Sequence, residues 1–467
     1  LNVKRFLINY FNGGEIMETI MKINGFINGI VWGPPMLILI VGTGIYFTIR
    51  TNFFSIVRLG YVLKNTLMKM FAKSDKGEGE VSAFQAVSTA LAATVGTGNI
   101  AGVATAIAMG GPGAIFWMWF AALVGMTTKF AEVVLAVHYR ESTPDGRFMG
   151  GPMYYITKGL NMKWLATLFA FFGALAAFGI GNMVQSNSIA EALNVTFGLP
   201  KLGVGIFCAV FAAVVVVGGI KRIGQVTEIF VPFMAAFYII GGLVIIIMNI
   251  GNLPAALALI VKSAFTGQAA AGGFTGSTVM LAMRYGVARG VFTNEAGLGS
   301  APIAHAAATT DSAVRQGLWG VFEVWIDTLV IATITALSII LTGVWETGLS
   351  GASLTTAAFN SVIPVYGGWI VSIGLFLFAF STILGWEYYG ERCAEYLFGP
   401  KVNMVYRVLW IPFIVIGAIG GLNVLWDLAD TLNGLMAIPN LIGLVFLSPV
   451  VFKLTKEFFT KEKIAGK

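Results

Sequence analysis

Long apolar stretches separated by short polar ones set the rhythm of this chain. A helix that crosses a bilayer needs about 20 mostly apolar residues. Eleven such stretches stand out, near 28–48, 83–109, 112–138, 164–192, 202–219, 229–250, 254–292, 317–343, 366–388, 408–425 and 434–452. They predict an all-α membrane protein with 11 transmembrane helices, although 254–292 is too long to be one plain helix. Composition agrees. Of 467 residues, 57% are hydrophobic and only 11% charged, with a mean hydropathy of +0.83, whereas soluble domains sit near 25% charged. A water-soluble enzyme is therefore disfavoured.

Charge then orients the spans. Lys and Arg number 29 against 22 Asp and Glu. In a soluble protein that excess points to nucleic acid; here topology explains it without such a partner. One set of loops holds 21 of the basic residues, from Arg50, Arg58, Lys64, Lys69, Lys73 and Lys76 through Arg140, Arg147, Lys158 and Lys163 to the tail, and the opposite set has only Lys4, Arg5, Lys22 and Lys201. Basic loops stay cytoplasmic, which predicts an extracellular N-terminus and a cytoplasmic C-terminus. The expected organisation is an outer segment 1–27, an extra helix 28–48, a cytoplasmic connection 49–82, one repeat over 83–250, a second over 251–452 and a basic tail 453–467. Within the connection, FFSIVRLGYVLKNTLMKMF (53–71) mixes bulky apolar residues with Arg58, Lys64 and Lys69, the pattern of a helix lying on anionic lipid. Cys208 and Cys393 offer no disulfide framework, and His138 and His305 are too few for a zinc motif or a haem ladder.

Two spans carry helix-breaking sequence. The second reads AFQAVSTALAATVGTGNIAGVATAIAMGG, with Gly96, Thr97, Gly98 and Asn99 near its middle. In hydrocarbon a melted turn exposes N–H and C=O groups that cost several kcal/mol each unless paired. A ligand that supplies those partners turns the defect into a site. Close packing through small residues is the plainer explanation of glycines in a span, and it fits this GxGN beside Thr94 and Thr97 less well. The seventh stretch runs from PAALALIVKSAF (254–265) through TGQAAAGGFTGS (266–277) into TVMLAMRYGVARGVF (278–292), with Gly272, Gly273 and Gly276 around Phe274 and Thr275. Five spans from 83 to 250 and five from 254 to 452 then each begin with a broken helix, and an odd number makes the second set inverted. Inverted repeats with discontinuous helices and a midplane site are a transporter design. Half-helix N-termini suit a carboxylate, and freed carbonyls suit a cation.

GGPGAIFWMWFAALVG (110–125) and FTNEAGLGSAPIAHAAATT (292–310) resemble the hallmarks of the alanine/glycine:cation symporters, the sodium:alanine symporter family, and the resemblance runs from about residue 28 onward. VGTGN (95–99) is similar to the corresponding turn of the bacterial leucine transporter. The resemblance implies the leucine-transporter-like 5+5 inverted repeat with one extra N-terminal helix, and a sodium ion co-transported with a small neutral amino acid, alanine or glycine. Carried over by position, the sodium ligands are the carbonyls of Ala92, Val95 and Phe378 and the hydroxyls of Ser381 and Thr382. The substrate carboxylate falls to amides around Thr97 and Gly98, and its ammonium to carbonyls near Thr94 and Phe274, with Thr275 and Ser277 close by. Trp386 takes the place of a smaller pocket residue and predicts a small substrate. The third core helix lacks the family fold's tyrosine, leaving Phe178, Asn182 and Gln185 as the pocket-closing residues. Taken alone, Ser381 and Thr382 would simply bond their own helix, and Trp386 would be packing.

Charges inside spans are functional hypotheses by default. Lys129 and Glu132, and Glu323 and Asp327, each share a helix face. A buried ion network that braces the bundle is the preferred reading, with a proton relay at Glu132 or Asp327 as its rival. Asn294 and Glu295 fit a gating role. A phosphate-binding GxxxxGK[ST] motif is absent, which points to secondary transport. A proton-coupled carrier and a non-transporting amino acid sensor remain the alternatives.

Overall fold

The computed structural model describes residues 15–70, 77–269, 272–420 and 423–464. Lys4, Arg5, Lys73, Lys76 and Lys467, counted in the loop asymmetry, lie outside the described residues. The helices are α1 (Glu15–Val31), α2 (Pro34–Arg50), α3 (Ala83–Thr94), α4 (Gly98–Gly110), α5 (Gly113–His138), α6 (Pro152–Leu160), α7 (Lys163–Phe197), α8 (Lys201–Val216) and α9 (Gly219–Met248). They continue with α10 (Leu253–Thr266), α11 (Val279–Asn294), α12 (Pro302–His305), α13 (Ala313–Leu341), α14 (Gly351–Val362), α15 (Tyr366–Phe398), α16 (Val402–Ile419) and α17 (Asn423–Ile464). A two-stranded hairpin pairs Glu141–Ser142 with Phe148–Met149. Among the described residues, eight helical stretches are long and apolar enough to cross a membrane, or nine with the bent pair α3 and α4 counted as one. In that count α1 and α2 form a single stretch. Of the eleven expected spans, 202–219 falls on the shorter α8, and 254–292 is split between α10 and α11. In the 53–71 region the chain forms two short helices, Phe54–Val57 and Leu59–Asn65, and a 3-10 turn Leu67–Lys69. Residue 71 lies outside the described residues.

The first break is where the glycines predict it. Ser82 caps α3 by accepting from the Gln85 N–H at 3.0 Å, while Gln85 Oε1 accepts from the Ser82 N–H at 3.1 Å, a reciprocal capping box. The helix ends at Val95, whose ψ of 94° leaves the helical region. The chain resumes as α4, bent by 48° from α3.

The second break is not where it was expected. The described residues of this stretch, 267–269 and 272–278, do leave the helix, but they pack on the Val344–Thr347 turn. Gln268 and Ser277 pair through their backbones, and the Gly273 N–H donates to the Glu346 carbonyl. The Phe274 ring packs edge-on against Trp345 at 5.3 Å. The neighbouring α10 lies across the start of α5, where the Trp117 indole donates to the Ala264 carbonyl at 3.1 Å. The break that faces Gly96 is instead the turn from Glu295 to Ala301, between α11 and α12. Its backbone needs positive φ at alternate positions: Glu295, Gly297 and Gly299 have φ of 57°, 94° and 84°. Glycine takes that region at no steric cost. Accordingly α11 packs on α4, α12 packs on α3, and both lie against α5. Two broken helices thus cross antiparallel at the centre of a leucine-transporter-like 5+5 fold, with α11–α12 leading the second set of five.

At the basic face the approach to α3 is sealed by backbone pairing. The Thr309 N–H donates to the Val81 carbonyl at 2.7 Å, and the Glu80 N–H to the Ala307 carbonyl at 2.8 Å. The Arg140 guanidinium bridges the carbonyls of Ala306, Ala308 and Glu78 at 3.0, 2.7 and 2.6 Å.

Candidate functional site

The α3–α4 break frees carbonyls in a defined order. In an unbroken helix, Ala92 O would accept from the Gly96 N–H, and Val95 O from the Asn99 N–H. Here the Gly96 N–H donates to the Asn99 side-chain carbonyl at 3.0 Å, and the Asn99 N–H donates to Gly96 O at 3.2 Å. Both helical acceptors lose their i+4 donors. Ala92 O is met by the Ser381 hydroxyl of α15 at 3.1 Å. Ser381 also lies 2.8 Å from Phe378 O, which the Thr382 hydroxyl reaches at 3.0 Å. A methyl group on Gly96 would sit 2.6 Å from the Thr382 hydroxyl, so glycine is what lets α15 approach the broken turn. Ala92 O, Phe378 O and the hydroxyls of Ser381 and Thr382 therefore lie together against the broken turn, although both hydroxyls also bond Phe378 O of their own helix. Oxygen donors without a formal charge suit a hard monovalent cation.

Next to this cluster lies a small buried cavity lined by Ala93, Thr94, Gly96, Thr97 and Gly98 from the first break, Ile180 and Gln185 from α7, Phe292 and Glu295 from the second break, Thr382 and Trp386 from α15, and Asn433 from α17. Room for the centre of a water-sized sphere amounts to about 10 Å³, about what one water needs. A substrate therefore enters only as the lining side chains move.

Of the ten substrate residues expected from sequence, Thr94, Thr97, Gly98, Gln185 and Trp386 line this cavity. Five do not. Phe274, Thr275 and Ser277 lie in the segment 272–278, where Ser277 and Phe274 abut Gly111 instead. Phe178 packs at a tilt among Tyr406, Trp410 and Phe413 with ring centroids 4.8 to 5.2 Å apart. The Asn182 amide donates to the Trp410 carbonyl at 2.8 Å. The reason is helical phase. Residues four apart share a face, so Phe178 and Asn182 both turn to α16, while Gly181 and Gln185 turn to the cavity. A π-helical stretch, Ala177–Met183, sets that phase within α7, and such bulges cluster at functional sites. Gly181 is required there: a Cβ on it would lie 2.2 Å from the Trp386 Cβ.

Sequence reading missed Ala93, Ile180, Phe292 and Asn433 as lining residues and gave Glu295 only a gating role. The available signal was an acidic residue followed by two alternating glycines inside an apolar stretch. Glu295 Oε2 accepts from the Ser300 hydroxyl at 2.6 Å. Around the cavity, intramembrane charges form a network. The Lys129 ammonium lies 3.2 Å from Glu323 Oε1, which the Thr94 hydroxyl reaches at 2.7 Å, and His305 Nε2 lies 3.1 Å from Glu323 Oε2. Glu132 does not pair with Lys129 on its own helix face. It accepts from the Gly297 N–H at 3.1 Å and the Asn440 amide at 2.6 Å. Asp327 is served by neutral donors, the Asn99 amide at 2.6 Å and the hydroxyls of Thr293 and Thr328 at 3.2 and 2.7 Å. Each of these three carboxylates thus reaches the edge of a break: Glu323 through Thr94, Asp327 through Asn99, Glu132 through Gly297.

Comparison with known proteins agrees with this geometry. The model of the sodium:alanine symporter family matches residues 17–467. The chain is 53% identical over 440 residues to the sodium/alanine symporter AgcS of Methanococcus maripaludis, covering 92% of this chain and 96% of that protein. It is 41% identical over 455 residues to the probable sodium/glutamine symporter GlnT of Bacillus subtilis, covering 97% and 93%. Among solved structures, a Na+-coupled sialic acid symporter in its substrate-bound outward-open state is similar with a TM-score of 0.54 at 15% identity, over 90% of this chain and 87% of that one. MhsT in complex with L-phenylalanine is similar with a TM-score of 0.53 at 15% identity, over 80% and 98%. At such identity the structural likeness speaks to the fold, and the match to the family model spans nearly every residue. The chain belongs to the sodium:alanine symporter family.

Proposed function

We propose that this protein couples inward sodium flow to uptake of a small neutral amino acid, alanine or glycine, by alternating access. The observation that carries the reading is the juxtaposition of two chain breaks around one buried cavity, with freed carbonyls and paired hydroxyls at its edge. Sodium is held by the carbonyls of Ala92, Val95 and Phe378 and the hydroxyls of Ser381 and Thr382. The substrate carboxylate takes amides at Thr97 and Gly98, where α4 begins and its dipole favours negative charge. Gln185 orients that turn through its 3.5 Å contact with the Thr97 N–H. The ammonium takes the Glu295 carboxylate of the second break, across the cavity, and the Thr94 end of the first. Trp386 and Phe292 leave little space for a side chain and so select small substrates. The N-terminus lies outside and the basic face in the cytoplasm.

One sodium crossing a potential of about 100 mV yields about 2.3 kcal/mol, or roughly 50-fold accumulation before any sodium gradient is counted. The test is uptake of labelled alanine into proteoliposomes. Accumulation that requires an inward sodium gradient is expected. Uptake that follows a pH gradient and ignores sodium would assign the coupling to a proton, and saturable binding without accumulation would make the protein a sensor.

A further inference from the structure

The second break must pair its backbone inside the protein, and it does so with side chains from other helices. The Gly297 N–H donates to Glu132 Oε1 of α5 at 3.1 Å. The Gly297 carbonyl accepts from the Asn440 amide of α17 at 2.9 Å. The other hydrogen of that amide goes to Glu132 Oε1 at 2.6 Å. A closed ring results, running from the Gly297 N–H through Glu132 and Asn440 back to the Gly297 carbonyl. Behind it, the Tyr155 hydroxyl of α6 donates to Asn440 Oδ1. Glu132, Tyr155 and Asn440 are all fully buried.

The ring fixes the amide. A side-chain amide has two donor hydrogens and one acceptor oxygen. Turned over, Asn440 would set its oxygen against a carboxylate and a carbonyl, so one orientation alone satisfies the partners. Packing is equally close. A Cβ on Gly299 would lie 2.7 Å from the Pro152 Cγ and 2.8 Å from the Asn440 Cγ, so α6 and α17 press directly on the turn.

Glu295 stands two residues before Gly297 in the same turn and lines the central cavity, whereas Asn440 does not reach that cavity. The Leu298 N–H donates to the Glu295 carbonyl at 3.1 Å, and the Ser300 hydroxyl to the Glu295 carboxylate at 2.6 Å. The turn is therefore one hydrogen-bonded unit. It is gripped from behind at Gly297 and presents a carboxylate to the cavity at Glu295.

We propose that Asn440 is a positioning residue for the substrate: it holds Gly297 so that Glu295 meets the ammonium of the amino acid, and Tyr155 orients its amide. The inference rests on the transport reading above, in which Glu295 takes the ammonium. A binding group works only when held within about 0.5 Å of its productive place by neighbours that are themselves locked. Here the lock is the ring, and it acts at the opposite break from the sodium ligands.

The test is sodium-driven uptake of labelled alanine by full-length variants in proteoliposomes, with KM and the maximal rate per folded transporter measured separately. Asn440→Leu should raise KM for alanine by about tenfold or more, the factor expected for losing one charge-assisted hydrogen bond to the substrate, and lower the maximal rate much less. Tyr155→Phe removes only the anchor of the amide and should move KM the same way by about threefold. The sodium concentration for half-maximal uptake at saturating alanine should be unchanged in both. Asn440→Asp sets a second carboxylate against Glu132 and should be the most damaging single change. Adding Glu132→Gln to it restores an amide-to-carboxylate contact across the same gap and should return KM toward the wild-type value, a rescue that mere packing by Asn440 would not give. An unchanged KM in Asn440→Leu and Tyr155→Phe, or a fall in maximal rate at constant KM, would overturn the positioning role and leave the transport reading standing. If Asn440→Leu fails to fold, Tyr155→Phe and the exchanged acid–amide pair decide by the same criterion. Wild-type protein that accumulates no alanine under a sodium gradient would instead refute the transport reading, and the inference with it.

Discussion

Replacing Lys129 with Met tests whether the buried charges brace the bundle. Lys129 and Glu323 are both fully buried, with their charged atoms 3.2 Å apart. At that separation the Coulomb attraction is about 5 kcal/mol at an effective dielectric of about 20, and desolvation of two ions offsets most of it. The net value of the intact pair is therefore small. Removing one partner is different, because the other charge stays buried without compensation, at a cost of about 3–5 kcal/mol. The two single variants should also differ. Lys129 feels Glu132 and Glu295 as well as Glu323, so Lys129→Met strands three carboxylates, whereas Glu323→Gln leaves the ammonium two acidic neighbours and keeps contacts for Thr94 and His305. Lys129→Met should be the more damaging change, and the double variant should recover at least about 1 kcal/mol relative to the sum of the singles. Unfolding of the purified protein in detergent, run as a double-mutant cycle, measures this. Additive losses, or a Lys129→Met protein as stable as wild type, would refute the reasoning.

At the sodium ligands, Thr382→Ala should raise the sodium concentration for half-maximal uptake by about tenfold or more, since a hydrogen bond to a charged group is worth about 1.5–3 kcal/mol, while Thr382→Ser should stay close to wild type; equal behaviour of the two variants would remove the hydroxyl from the site. Gly181→Ala drives a methyl into Trp386 and should change which amino acids compete for uptake, as should Trp386→Ala by admitting larger side chains. An unaltered competition panel for both would end the size-filter role. At the basic face, burial raises the Glu80 carboxyl above its ordinary 4.5, against the opposing pull of the Phe148 N–H. A raised folded pKa means the contribution of this group is full at low pH and is lost as pH rises through the folded value. Glu80→Gln should therefore raise the melting temperature at pH 7 and change it little at pH 4, as read by thermal unfolding at the two pH values.

Much of this protein was legible without coordinates. In a bilayer the backbone must satisfy itself, so apolar run lengths report spans directly, and the VGTGN turn betrays the first break because two glycines and an asparagine in mid-span fit simple helix packing poorly. The same reasoning misplaced the second break. Glycines at 272–276 and at 297–299 carry equal local signal, and only the packing of α11 against α4, and of α12 against α3, shows which turn meets Gly96 and which packs on the Val344–Thr347 turn. Helix phase was likewise out of reach in α7. A π-turn over Ala177–Met183 shifts the faces, so Asn182 bonds α16 while Gln185 reaches the cavity, though both are polar residues in one apolar helix. Charge partners followed the same rule. Lys129 has Glu132 beside it in sequence and Glu323 beside it in space, because in a crowded low-dielectric interior the partner is chosen by three-dimensional approach, which the one-dimensional order of residues does not contain.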